Sequence, residues 1–117
     1  MVSSAAVVSR ARVEALGGGR FRVTGILDAA TVVELLEQSL ERFKGEPHIC
    51  VDLGGVAEGD SAGLALLIEW LRIARQRDQR IQFTNVPAQI NALARISEVE
   101  DLLAASGDCA PPVESTR

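Results

Sequence analysis

Hydrophobic positions recur along the chain with different periods, and each change of period marks a new element. Short β-branched stretches at residues 6–15 and 20–25 lie on either side of three consecutive glycines, 17–19. Glycine adopts positive φ at little steric cost, so these stretches are predicted to form a hairpin. A phosphate-binding loop is disfavoured, because neither a Gly-Lys-Ser/Thr sequence nor a helix start follows the glycines.

Residues 31–43 show helical periodicity instead. Their apolar residues recur at spacings of three and four: Val32, Leu36, Leu40 and Phe43. Glutamate and glutamine occupy the other side, so the pattern predicts an amphipathic helix lying on a core. We expect Asp28 to cap the start of this helix, and the glycine and proline after residue 43 to end it.

The remaining chain continues to alternate. Residues 48–53 form a short apolar run typical of a central strand covered on both faces. A loop over 54–59, a helix over 61–76 and a strand over 81–84 are predicted next. Asn85 and Pro87 mark the start of another helix, and Ser97 with Glu100 forms a capping box that opens a last short one.

This order of elements predicts the fold class. Alternating strands and helices favour one α/β domain over residues 6–105, with a mixed sheet of about four strands and helices packed on it. The sheet opens with an antiparallel hairpin and is parallel where a helix crosses over. Residues 1–5 and 107–117 have no apolar periodicity, and we expect them to be flexible termini.

Composition and charge narrow the classes of function. A formal net charge of −4 and an aromatic content of 3% disfavour binding to nucleic acid or to an anionic membrane surface. No run approaches the length of a membrane span, and the N-terminus lacks the pattern of a signal peptide, so we expect a cytoplasmic location. Cys50 lies in a predicted strand and Cys109 in a polar tail, and both are expected to be free thiols.

The least generic segment is the start of the helix predicted over 61–76. Asp60 can accept hydrogen bonds from helix amides that lack intrahelical partners, and its charge suits the helix dipole. Gly63 costs about 1 kcal/mol in a helix relative to alanine. Two explanations remain open: another backbone approaches closely there, or the glycine packs against its own sheet.

The same helix is apolar over well over half of its circumference, which is more than packing on one sheet requires. A neighbouring helix or a partner protein must cover the extra edge. We favour a neighbouring helix, because the chain offers several. If the edge were open, Trp70 would be the natural anchor of an interface.

The segment that begins Val51-Asp52-Leu53 and continues through Asp60-Ser61-Ala62-Gly63-Leu64 to Leu103 resembles the STAS domain, the fold of bacterial anti-sigma-factor antagonists. The resemblance covers residues 10–105. In antagonists of this family, the residue just before the glycine is the serine that becomes phosphorylated. Here Ala62 occupies that position, so the hydroxyl that accepts phosphate is missing, and Ser61 lies one residue too early.

The Asp-Ser-Ala-Gly sequence is similar instead to the MlaB-like branch of the family. Its members are cytoplasmic, non-catalytic subunits of phospholipid ABC transporters that maintain outer-membrane lipid asymmetry. In that branch the hydroxyl residue matching Ser61 contacts the ATPase subunit, MlaF. The resemblance therefore implies an MlaF-like partner, and through it a peripheral position at the inner membrane without insertion. The implied partner-binding residues are Glu58, Gly59, Asp60, Ser61, Ala62, Gly63 and Leu64.

The alternative is a partner-switching regulator like the anti-sigma-factor antagonists, with Ser61 as a possible phosphorylation site. An enzyme is disfavoured, because His48 is alone and neither cysteine has a base nearby in the sequence. Carboxylates cluster around the glycine-rich segment, but capping and solvation explain them better than catalysis does. We therefore expect no catalytic residue, metal or cofactor.

Overall fold

The predicted hairpin opens the fold in the computed structural model, which describes residues 11–104. Strand β1 (Ala11–Gly17) pairs antiparallel with β2 (Arg20–Leu27). The three glycines of the turn have φ of 93°, 66° and 80°, which favours glycine over any other residue. The expectations for residues 1–10 and 105–117, including the flexible termini, the outer ends of the predicted domain and Cys109, lie outside the described residues.

Two parallel strands complete the sheet. Strand β3 (His48–Gly59) lies between β2 and β4 (Arg80–Thr84), giving the order β1-β2-β3-β4. Between residues 11 and 104, four helices accompany these strands: α1 (Val32–Arg42), α2 (Ser61–Gln76), α3 (Ala88–Ile96) and α4 (Glu100–Ala104). The predicted fold class, one α/β domain with a mixed four-stranded sheet, is confirmed.

One face of the sheet forms the core. The buried strand residues alternate along each strand and share one cluster with buried residues of all four helices; in β3 they are Ile49, Val51 and Leu53. Between them, His48 is exposed and Cys50 and Asp52 are half-buried. The prediction of a doubly covered strand is therefore wrong for the described part of the chain, since successive side chains of a strand point to opposite faces.

The cysteine of this strand also differs from expectation. Cys50 is disulfide-bonded in the structure. The free thiol predicted at this position is therefore wrong.

The segment 54–59, predicted as a loop, is also part of β3. Its backbone continues to pair with β2, with Gly55 opposite Thr24 and Gly59 opposite Leu27. The register shifts twice along this pairing, so the strand is irregular. A Cβ at Gly55 would lie 2.6 Å from the Thr24 Cγ2 atom. The glycine that suggested a loop is required because a neighbouring side chain occupies its space.

Three helix details differ from the predictions. Thr31, not Asp28, is the N-cap residue of α1, and the Asp28 Oδ1 atom instead accepts from the Ala30 amide at 2.9 Å. The predicted residues Val32, Leu36 and Phe43 do pack on the core, but the most buried residues of α1 are Leu35 and Ser39, which the prediction did not include. The expected capping box does not form, because Ser97 ends α3 and the next residue has φ of 61°, which is not helical.

The chain's four aromatic residues form one line of contacts through the core. Phe21 and Phe43 have ring centroids 4.8 Å apart, Phe43 and Trp70 5.7 Å, and Trp70 and Phe83 6.3 Å. Trp70 is 1% exposed, and its indole N–H donates to the Ser39 hydroxyl at 2.7 Å. Helix α1 therefore covers the extra apolar edge of α2, as favoured from the sequence, and Trp70 is not an interface anchor.

Candidate functional site

Two hydrogen bonds of Asp60 hold the start of α2 in place, one to the end of β2 and one within the first turn. The Asp60 amide donates to the Leu27 carbonyl at 3.2 Å, and the Asp60 Oδ1 atom accepts from the Ala62 amide at 2.8 Å. The carboxylate satisfies one of the helix amides that lack an intrahelical partner. The predicted capping role of Asp60 is confirmed, and the first turn of α2 is held in one conformation.

Three charged or polar side chains project from this turn. Glu58, Asp60 and Ser61 are exposed, and Ala62 is half-buried. Neither carboxylate forms an ion pair with any residue from 11 to 104. The Ser61 hydroxyl likewise makes no hydrogen bond to another group in that range. These groups are available to a molecule outside the domain.

The other predicted site residues face inward. Gly59, Gly63 and Leu64 are all buried. A Cβ at Gly59 would lie 2.7 Å from the Ile90 Cδ1 atom, and a Cβ at Gly63 would lie 3.0 Å from the Leu27 Cβ atom. The open question about Gly63 is thus answered within the domain, since it packs against its own β2 and α3 rather than against another molecule.

A second polar group orders the adjacent end of the sheet. The Asp52 Oδ1 atom accepts from the Asn85 side-chain amide at 2.9 Å and from the Gly54 amide at 2.8 Å. The Asn85 hydrogen bond is the largest cause that lowers the pKa of Asp52 below its ordinary value of 3.8, and the Gly54 amide lowers it further. Burial opposes this shift, and the charges of Arg22 and Arg20 add smaller lowering effects. The hydrogen bond between Asp52 and Asn85 links the middle of β3 to the end of β4.

Sequence reasoning missed the roles of two amide side chains. Asn85, interpreted only as a helix-start marker, adopts φ of 56° and bonds to Asp52. The Gln89 Oε1 atom accepts from the Gly59 amide at 3.2 Å. Asparagine tolerates positive φ better than most residues, so a turn at Asn85 had a sequence signal. Nothing in the local sequence distinguishes Gln89.

The charged residues around the first turn of α2 are acidic. The described segments nearest the start of α2, residues 26–31, 57–65 and 85–91, contain no lysine or arginine. Their acidic residues near the start of α2 include Asp28, Glu58 and Asp60. The described surface around Ser61 is therefore acidic.

Features of a metal site and of a membrane span are absent from the described residues. No three His, Cys, Asp or Glu side chains between residues 11 and 104 are placed to hold a metal ion. His48 lies at the opposite end of β3, where its Nε2 atom is 2.5 Å from the Gln82 Oε1 atom. None of the helices in the described range combines the length and apolar character that crossing a bilayer needs.

The fold and this helix start define the class of protein: the chain belongs to the STAS domain family. The family model described as "Mlab, STAS domain" matches residues 10–104. The chain is 29% identical over 79 residues to the intermembrane phospholipid transport system binding protein MlaB of Escherichia coli, covering 68% of this chain and 79% of that protein.

Other relatives carry a different name. The chain is 34% identical over 83 residues to the anti-sigma-B factor antagonist of Staphylococcus epidermidis, covering 70% of this chain and 77% of that protein. The structure of the unphosphorylated anti-sigma factor antagonist SpoIIAA superposes with a TM-score of 0.59 at 18% identity, covering 75% of this chain and 80% of that one. That likeness shows the fold alone. The family is thus established, while the named relatives divide between two functions.

Proposed function

We propose that this protein is the non-catalytic STAS subunit of an ABC-type phospholipid transporter, where it binds and supports the ATPase and so helps to maintain outer-membrane lipid asymmetry. In this proposal it is cytoplasmic and lies at the inner face of the inner membrane through its complex. The observation that carries the proposal is Ala62 directly before Gly63. A switch that requires a phosphate at that position has no oxygen to receive it, whereas a permanent contact needs none.

The geometry of the helix start suits a permanent contact. Asp60 fixes the backbone of the first turn, so the exposed Ser61 side chain projects from a fixed position. A preorganised backbone loses little entropy when it binds. The half-buried methyl group of Ala62 projects little from the surface beside the Ser61 hydroxyl, so a partner can approach closely.

The proposed contact residues are therefore fewer than those implied by the family resemblance. Glu58, Asp60, Ser61 and Ala62 would touch the ATPase. Gly59, Gly63 and Leu64 are buried, so they would act by allowing β3, α2 and α3 to pack closely and thereby hold the contact residues in place.

The acidic character of this end gives the partner a chemical requirement. A partner surface that meets Glu58 and Asp60 should supply lysine or arginine, because like charges across an interface are costly. Association should then be slower at high salt, since exposed charges are screened.

A second candidate function is a partner-switching regulator of the anti-sigma-factor antagonist type. The Staphylococcus epidermidis relative, at 34% identity, favours it. Ser61 would have to be the modified residue. A phosphate there would lie at the positive end of the α2 dipole, but it would also lie beside the carboxylate of Asp60.

The decisive experiment is co-purification with the phospholipid-transporter ATPase of the same organism. We expect Ser61→Glu to abolish co-purification, because its larger side chain does not fit in the close contact, while the free energy of unfolding changes by less than about 0.5 kcal/mol. Ser97→Glu is the matched control, since it adds the same charge at an exposed serine at the far end of α3. It should co-purify at wild-type yield.

Three outcomes discriminate the alternatives. Wild-type recovery of the ATPase with Ser61→Glu would show that the contact is elsewhere. Loss with both variants would point to an effect of the substitution that is not specific to the first turn of α2. Binding of the unmodified protein to an anti-sigma kinase but not to the ATPase would favour the second function.

A further inference from the structure

Strand β4 is at one edge of the sheet, and one side of its backbone has no neighbouring strand among residues 11–104. Its other side pairs with the β3 side of the sheet, where the Arg80 amide donates to the Pro47 carbonyl at 2.9 Å. Backbone groups of successive residues in a parallel strand point alternately toward the neighbour and away from it. The N–H and C=O groups of Ile81 and Phe83 therefore point outward, and such an edge is a template for another strand.

A groove of about 410 Å³ runs along this edge, between β4, α2 and α4. Three successive residues of β4 line it: Arg80, Ile81 and Gln82. Successive side chains of a strand point to opposite faces, so only a space beside the strand can adjoin three residues in a row. The groove therefore lies against the outward backbone groups of β4, and an occupant would cover them.

The floor of the groove is apolar. Ile68 and Leu71 of α2, Ile81 of β4 and Leu102 of α4 line it. Leu102 is 43% exposed, although it belongs to a helix that packs on the core. An occupant with apolar side chains would remove this surface from water, which favours binding.

The rim of the groove is basic. Arg72, Arg75 and Arg80 line it, and none of the described residues that line it is acidic. Arg72 forms an ion pair with Glu69. Arg75 and Arg80 are exposed, and neither forms an ion pair with a carboxylate between residues 11 and 104. Guanidinium groups match the planar geometry of carboxylates, so the occupant should carry carboxylates.

A fatty acid and an acidic peptide both combine apolar groups with carboxylates, and the open edge of β4 favours the peptide. An acyl chain would remove the outward N–H and C=O groups of Ile81 from water without replacing their hydrogen bonds, which is costly. An extended peptide supplies a carbonyl and an amide for these groups, as in peptide recognition by strand addition.

We propose that an extended segment of another protein, in which carboxylates alternate with apolar side chains, binds in this groove as a fifth strand beside β4. Its backbone pairs with β4, its apolar side chains cover the floor, and its carboxylates meet Arg75 and Arg80. The groove adjoins the middle and end of α2, whereas Ser61 lies in the first turn. The proposal therefore does not depend on the ATPase contact.

The first test titrates the full chain with a synthetic peptide of alternating glutamate and valine, blocked at both ends, and follows the backbone amides by NMR. The Ile81 amide should shift in a saturable way and exchange with solvent more slowly. The same peptide with lysine in place of glutamate should bind at least about tenfold more weakly, because like charges across an interface are costly. An unchanged Ile81 amide, or equal affinity for the two peptides, would overturn the proposal.

Backbone pairing is tested with two further peptides, N-methylated either at the valines or at the glutamates. Alternate amides of a strand face the same neighbour, so only one of the two peptides should lose binding. Equal binding of the two would show that the peptide backbone does not pair with β4, and would overturn strand addition.

The charge contacts are tested with variants of the protein. Arg75→Glu and Arg80→Glu should each weaken binding of the glutamate peptide about two- to fivefold, because exposed ion pairs contribute modestly. Arg42→Glu makes the same change at an exposed position at the end of α1 and should have no effect. Wild-type affinity in both groove variants would overturn the proposal. Ser61→Glu should retain wild-type affinity for the peptide, so this test is separate from that of the ATPase contact.

The lipid alternative is tested with laurate below the concentration at which it forms micelles. Laurate should not displace the glutamate peptide, and it should leave the Ile81 amide unprotected from exchange. Displacement of the peptide by an equal or lower concentration of laurate would overturn the proposal in favour of a fatty-acid site.

Discussion

Ser61 and Trp70 belong to the same helix, yet their polar atoms have different surroundings. The Trp70 indole N–H lies in the core and donates to the Ser39 hydroxyl, both residues being no more than 1% exposed. The Ser61 hydroxyl lies at the surface, and no described residue bonds to it. A buried polar group must be paired for the fold to be stable, whereas an exposed one is paired by water.

The difference separates residues that folding requires from residues that a partner can recognise. The middle of α2 holds the helix in place, and its polar contact is fixed by stability. The first turn is held rigid by the rest of the helix, and its own side chains contribute little to stability. Substitutions along α2 should therefore show stability losses that decline toward the first turn, while effects on binding increase.

The largest loss is expected at the centre of the helix. Trp70→Ala should lower the free energy of unfolding by about 3–5 kcal/mol, because it leaves a cavity between two phenylalanine rings. Urea denaturation followed by far-UV circular dichroism measures this. Gln76→Ala, at an exposed position of the same helix, should change stability by less than about 0.5 kcal/mol. Similar losses in both variants would contradict the comparison.

A smaller loss is expected when only the partner of Trp70 is removed. Ser39→Ala should cost about 1–3 kcal/mol, because the buried indole N–H is left without an acceptor. The same denaturation experiment on Gln38→Ala, its partly exposed neighbour in α1, provides the reference. If the two variants were equally stable, the buried hydrogen bond would not be the reason that this serine lies in the core.

At the first turn the stability effect should be smaller again. Asp60→Ala removes the side-chain cap of α2 and should cost about 1 kcal/mol. It should also weaken ATPase binding in the proposed function, because the Ser61 hydroxyl is less well oriented. Glu58→Ala removes an exposed charge without a capping bond and should leave stability nearly unchanged. A loss above about 2 kcal/mol for Asp60→Ala would mean that the cap is as important to folding as the core.

The smallest effect is expected from the acid group beside this turn, and it depends on pH. Because hydrogen bonds lower the pKa of Asp52 in the folded protein, its contribution to stability is present above the ordinary value of 3.8. That contribution is lost as the pH falls through the lowered folded pKa. Asn85→Ala should raise the pKa of Asp52 toward 3.8 in a carboxyl-carbon NMR titration, while Asp52→Asn should flatten stability in this acid range. An unchanged pKa in Asn85→Ala would assign the shift to another cause.

The features that sequence predicted are those with local causes. The glycine turn after β1, the alternation of strands and helices, and the cap at Asp60 each depend on residues close together in the chain. The exposed position of Ser61 follows from the same local pattern. The family's own motif covers the same turn.

The features that sequence missed depend on residues far apart in the chain. Ser39 is polar within an apolar stripe, and only Trp70 on another helix explains its burial. Gly55 suggested a loop until Thr24 on β2 was found in the space of its missing side chain. The inward position of Gly63 depended in the same way on Leu27 and Ile90. Tertiary contacts decide such cases, and a local pattern does not contain them.

The line of aromatic rings has a practical optical consequence. The protein has one tryptophan and no tyrosine, so its intrinsic near-ultraviolet emission comes from a single indole in the core. That emission should shift to longer wavelength only when the packing around α1, α2 and β4 opens. It should remain almost unchanged when a partner docks on the first turn of α2. A fluorescence titration of the unlabelled protein would thus report unfolding, while docking would need a probe attached near Ser61.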